Sequence, residues 1–82
     1  MGTYDKALVR LQSKPKDFTW SELQRIMTHS GFQELANSGS RRKFFNPATK
    51  RVAIFHRRHP IDTLLPYQVK DALNFLKQEG VI

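Results

Sequence analysis

The sequence predicts an α+β fold, a small α-α-β-β-β-α sandwich with a three-stranded antiparallel sheet and its helices on one face. Two observations predict it. Apolar residues recur at a spacing of about 3.6 up to Gly31, at about 2 from Phe32 to Phe55, and at helical spacing again after Pro66. Turn-forming residues stand at each change of period.

Tyr4, Ala7, Leu8 and Leu11 form the apolar stripe of a first helix, which Pro15 and its polar neighbours Lys14, Lys16 and Asp17 close. Thr19 and Glu22 then stand three apart as a capping box, with Phe18 and Leu23 placed as a hydrophobic staple. This second helix buries Trp20, Leu23, Ile26 and Met27 and stops at Gly31, followed by Phe32. Three short strands follow at 32–36, 41–46 and 51–55, joined by turns at Asn37-Ser38-Gly39 and Pro47-Ala48-Thr49. Connections that short make the strands antiparallel neighbours. Pro66 suits the first turn of a last helix, whose inner stripe is Val69, Ala72, Leu73 and Leu76 and whose end is Gly80.

A chain of 82 residues with 39% hydrophobic content is expected to form one small domain over residues 1–82 with a thin core. It has no cysteine, which excludes disulfides, thiol nucleophiles and thiolate metal sites and agrees with a reducing compartment. No apolar run approaches the roughly 20 residues of a membrane span, and Met1-Gly2-Thr3-Tyr4 begins no signal-peptide pattern. A cytoplasmic protein with no membrane contact is expected.

Charge is distributed unevenly. Between Leu35 and Ile61 there are seven Lys or Arg and no acid, and the other seven cations are balanced by seven acids, so the formal net charge of +7 belongs to this stretch. Basic residues gathered in this way favour a polyanion, because neutralising phosphates releases condensed counterions. Strand alternation places Arg41, Lys43 and Phe45 on one side of their strand and Phe44 on the other. With Phe44, Val52 and Ile54 turned toward the helices, Arg41, Lys43, Arg51, Phe45 and Phe55 would share the open side. Cations there would hold phosphates, and the rings would stack on unpaired bases of RNA. Arg42, Arg57 and Arg58 add phosphate contacts, while Gly39 admits close backbone approach and the Ser40 hydroxyl offers a hydrogen bond.

The ordered pieces Trp20-Ser21-Glu22-Leu23, Ser30-Gly31-Phe32, Gly39-Ser40-Arg41-Arg42-Lys43-Phe44, His59-Pro60 and the stretch from Leu64 to Gly80-Val81-Ile82 resemble the HicA toxin family of toxin-antitoxin modules over nearly the whole chain. The resemblance implies a fold similar to a double-stranded-RNA-binding domain, metal-free cleavage of messenger RNA, and inhibition by a HicB-like antitoxin. The family's usual motif reads Gly-Ser-His with the His catalytic, and Arg41 holds that position here. A guanidinium stays protonated at physiological pH and cannot serve as acid or base.

Scission by the RNA 2′-hydroxyl needs a base for its proton, an acid for the leaving 5′-oxygen, and cations beside the phosphorus. Imidazole, with an ordinary pKa of about 6.5, suits both proton roles. His56 and His59, in the run His56-Arg57-Arg58-His59-Pro60, are the candidates, although His59 has a second, structural reading because Pro60 restricts its backbone. No metal or small-molecule cofactor is expected: the nearest acid to His56-x-x-His59 is Asp62, and no cysteine is available. The alternative function is a non-catalytic module that binds RNA or docks an acidic antitoxin through the same basic face.

Overall fold

The computed structural model describes residues 3–36, 41–57 and 61–82. Its elements run α1 (Thr3–Gln12), α2 (Trp20–His29), β1 (Gln33–Ala36), β2 (Arg41–Phe45), β3 (Val52–His56) and α3 (Pro66–Gln78), in the predicted order. The predicted turn at Asn37-Ser38-Gly39 lies outside the described residues.

The capping box opens α2 as its spacing requires. Thr19 Oγ1 accepts the Glu22 N–H at 3.3 Å, and the Thr19 N–H donates to Glu22 Oε1 at 3.1 Å. At the other end Gly31 adopts φ +94°, so that the Phe32 N–H reaches the Met27 carbonyl at 2.9 Å and the chain turns into the sheet. Arg10 of α1 crosses to the same cap, with Nε 2.6 Å from Glu22 Oε2 and Nη2 3.1 Å from Asp17 Oδ1. Partial burial pushes the Glu22 carboxyl up, but hydrogen bonds from Arg10 and from the Thr19 N–H and hydroxyl outweigh it and hold the group below its ordinary value.

The last helix is tied to the sheet by a buried amide. Gln68, 3% exposed, accepts the Leu65 N–H on Oε1 at 2.8 Å and donates from Nε2 to the His56 carbonyl at 2.9 Å. This joins the start of α3 to the end of β3. The segment before α3 runs beside the entry to α2, with the Trp20 N–H on the Asp62 carbonyl and the Leu64 N–H on the Phe18 carbonyl, both at 2.8 Å.

The sheet order is β1-β2-β3, antiparallel throughout. Phe44 sits at the centre of the core, its ring 5.6 Å from Trp20 and 6.2 Å from Phe55. Asn46 turns the chain between β2 and β3: its Oδ1 accepts the Ala48 N–H at 2.9 Å, and Lys50 takes up a left-handed φ of 65°.

The third strand corrects one expectation. Ala53 and Phe55 face the helices, whereas Val52 and Ile54 are exposed, the reverse of the predicted phase. A change of phase moves every side chain of a strand to the opposite face. Ala53 lies across from Phe44, so a small residue opposes a large one, and Phe55 gains an edge contact with Trp20 at 6.5 Å. The alternative phase would place two β-branched residues there and leave a phenyl ring in solvent. Arg51 and Arg57, on the same alternation as Phe55, leave the open face with it.

Candidate nucleic-acid interface

Pairing in the sheet composes the open face row by row, because residues directly opposite one another project on the same side. Gln33, Phe45 and Val52 form one row; Leu35, Lys43 and Ile54 form the next; Arg41 and His56 form the third. Arg41 and His56 are direct partners across β2 and β3, which sets their Cβ atoms about 5 Å apart. Both are exposed, and the His56 backbone is fixed by Gln68 from behind the sheet. Lys43 stands one row away, roughly 7 Å along the strand. Lys50 Nζ lies 5.9 Å from the centre of the Phe45 ring, adding charge at the far edge.

Of the residues expected to hold RNA, the structure therefore brings Arg41, Lys43 and Phe45 to the open face, and His56 joins them. Others are placed elsewhere. Phe55 is a core residue, 7% exposed, and has no open surface on which a base could stack. Arg51 points to the helical side, where its Nε is 2.6 Å from Glu79 Oε2 at the end of α3. Arg42 shares that side, 3.7 Å from Glu34. Arg57 lies 6.0 Å from the Trp20 ring and 3.4 Å from Asp62 Oδ1, at the margin of the sheet. Gly39, Ser40, Arg58 and His59 fall outside the described residues.

Several residues around this face escaped the sequence reading. Leu35, Val52 and Ile54 are 43%, 41% and 47% exposed, so the centre of the face is apolar and its charge lies among and beside those side chains. Behind the Arg41–His56 end, Trp20, Arg57, Asp62, Thr63 and Gln68 line a narrow cleft. In it the Trp20 Nε1–H and the Arg57 Nε–H are buried without acceptors among the described residues. The pairing of bulky Phe44 with small Ala53 was the signal that could have fixed the phase of β3.

The arrangement can do three things chemically. Arg41 and Lys43 can bind phosphate oxygens, Phe45 offers a phenyl ring beside them, and the His56 imidazole can exchange a proton with a group held by Arg41. Among the described residues there is no group of three or more His, Cys, Asp or Glu placed to hold a metal ion, and no helix is long and apolar enough to cross a membrane.

Comparison with known proteins gives one family. The model of the HicA toxin family, toxins of bacterial toxin-antitoxin systems, matches residues 20–81. No curated protein and no solved structure matches the chain.

Proposed function

The chain belongs to the HicA toxin family, and from that premise we propose that it acts on messenger RNA, held on the open sheet face and cut there without a metal ion. The observation that carries this proposal is the cross-strand pair of Arg41 and His56, with Lys43 one row away. The resemblance to the family motif puts Arg41 at the position of the catalytic imidazole, and His56 is the direct partner of Arg41 across the sheet. A cation that fixes the scissile phosphate and a base that deprotonates its neighbour are thus split across two strands.

In the proposed reaction the RNA 2′-oxygen loses its proton, forms a bond to the adjacent phosphorus, and the bond from phosphorus to the 5′-oxygen breaks. The leaving oxygen takes a proton, so the products are a 2′,3′-cyclic phosphate and a 5′-hydroxyl. His56 and His59 share the two proton roles, Arg41 and Lys43 neutralise the charge gathering on phosphorus, and Phe45 stacks on a flanking base. Gly39, Ser40 and Arg58 are proposed to add phosphate contacts, whereas Arg42 and Arg57, each beside an acid, contribute less. No cofactor enters the scheme. The partner implied by the family is an antitoxin protein.

One observation favours a second reading. Arg41 carries a permanent charge where the family motif has a titrating group, which supports an RNA-holding module that does not cut. A long transcript incubated with the pure chain and EDTA separates the two. Cleavage persists in EDTA under the first reading and slows by roughly 100-fold or more in His56→Ala. Intact RNA with a salt-sensitive mobility shift selects the second, and neither cleavage nor a shift contradicts both.

A further inference from the structure

We infer that the cleft behind the Arg41–His56 row is a second phosphate site, where Arg57 and the indole of Trp20 take an oxygen of the RNA phosphate next to the scissile one. The inference deepens the RNA reading above and rests on it. His56 belongs to both places: it pairs with Arg41 on the sheet, and it lines the cleft together with Trp20, Arg57 and Asp62. Two donors in the cleft stand without acceptors among the described residues, the Trp20 Nε1–H and the Arg57 Nε–H. Trp20 is 2% exposed, and the cleft is too narrow for a water molecule, so solvent does not serve them either. Buried N–H groups are nearly always paired in folded chains, because an unpaired one forfeits the hydrogen bond it makes in water. Two of them on one cleft mark a place that an incoming acceptor completes.

The chemistry of the acceptor follows from the two donors. Indole and guanidinium donate and do not accept, and the guanidinium carries a permanent charge, so an anionic oxygen matches them. A base carbonyl would serve the indole and leave the charge unanswered. At present Arg57 is held by an acid: its Nη2 lies 3.4 Å from Asp62 Oδ1, and its guanidinium carbon lies 6.0 Å from the centre of the Trp20 ring. That contact is long for a charge-assisted bond, which usually measures about 2.7–2.9 Å. The two side chains are 31% and 44% exposed, so the pair contributes little and is readily exchanged. A phosphodiester offers the guanidinium two anionic oxygens, which suit its fork of donors. The movement required is confined to one side chain just past the end of β3, and the cleft widens when that side chain leaves Asp62. Asp62 also opposes a phosphate at that point, so the site is weaker than the one at Arg41 and the acid sets its strength.

The chain has a single tryptophan, so the Trp20 indole N–H gives one NMR signal with which to test the cleft in the unaltered protein. The full chain is titrated with a 2′-O-methyl RNA oligonucleotide, which has no 2′-hydroxyl to react, and separately with inorganic phosphate at the same phosphate concentration. The expected result is a downfield movement of the indole proton with RNA, as for an N–H that gains an acceptor, and a far smaller one with inorganic phosphate. Asp62→Asn keeps the backbone carbonyl that accepts the Trp20 N–H. It should tighten RNA binding roughly fivefold and steepen the slope of log affinity against log salt by about 0.7. Adding Arg57→Ala to that variant should remove both gains. An indole signal that stays in place while the Arg41 and Lys43 amides move overturns the cleft and leaves the open face standing; no movement anywhere overturns both. A signal that inorganic phosphate moves as far as RNA does makes the cleft an anion site that owes nothing to the strand, and this overturns the inference, as does an Asp62→Asn affinity equal to that of wild type.

Discussion

Arg41 fixes a positive charge on the open face opposite His56, and the division of labour proposed for that face turns on it, because the motif that the sequence resembles has an imidazole there. Arg41→His should return a proton-transfer group to the end of β2, directly opposite His56. The expected outcome is deeper growth arrest on induction and transcript cleavage faster by roughly 100-fold; an unchanged rate would show that this position does not limit the chemistry. A second residue-scale prediction concerns Glu22, held below its ordinary pKa. A depressed carboxyl stabilises the fold above its unfolded pKa and loses that contribution as pH falls through the folded value. Glu22→Gln keeps the capping geometry but removes the charge that Arg10 meets. Wild type should melt above Glu22→Gln near pH 7, and the gap should narrow below about pH 4.3. A gap independent of pH would contradict the assignment. This cap was legible in the sequence because Thr19 and Glu22 interact over three residues and need no tertiary information.

At the scale of the element, β3 shows where local information ran out. Val52 and Ile54 on one alternation and Ala53 and Phe55 on the other are both apolar, so periodicity alone permits either phase. The choice is made by what lies opposite: Phe44 and Trp20 leave room for Ala53 and give Phe55 two aromatic neighbours. Strand β2 has the same ambiguity in its adjacent Phe44 and Phe45, and there the expected phase holds, with Phe44 fully buried. The corrected phase makes opposite forecasts for two phenylalanines. Phe55→Ala should cost about 3–5 kcal/mol of stability, a large share of what so small a domain possesses. Phe45→Ala should leave the melting temperature within a few degrees and weaken RNA binding by about 1–3 kcal/mol. Equal effects of the two on stability would place Phe45 in the core and contradict the described face.

For the whole molecule, the concentration of charge between Leu35 and Ile61 overstates the basic surface that the segment presents. Among the described residues, Arg42, Arg51 and Arg57 each meet an acid contributed from elsewhere in the chain, Glu34, Glu79 and Asp62 respectively. A count of charges along the chain does not contain those pairings, because they depend on which side of the sheet each strand presents. The apolar patch was hidden for the same reason. Arg41 and Lys43 are therefore the described cations of the face best placed to release counterions from RNA. Lys43→Ala should weaken RNA binding and lower the slope of log affinity against log salt by about 0.7, the value for one contact with a single strand. An unchanged slope would remove Lys43 from the interface.

The central claim is that RNA lies on the open face of the sheet, and an amide NMR titration of the full chain with a short RNA oligonucleotide tests it most directly. The account predicts that the largest shifts fall on Arg41, Lys43, Phe45 and His56, with α1 and the outer surface of α3 unmoved. Shifts gathered on the helices, with those four residues silent, would contradict it.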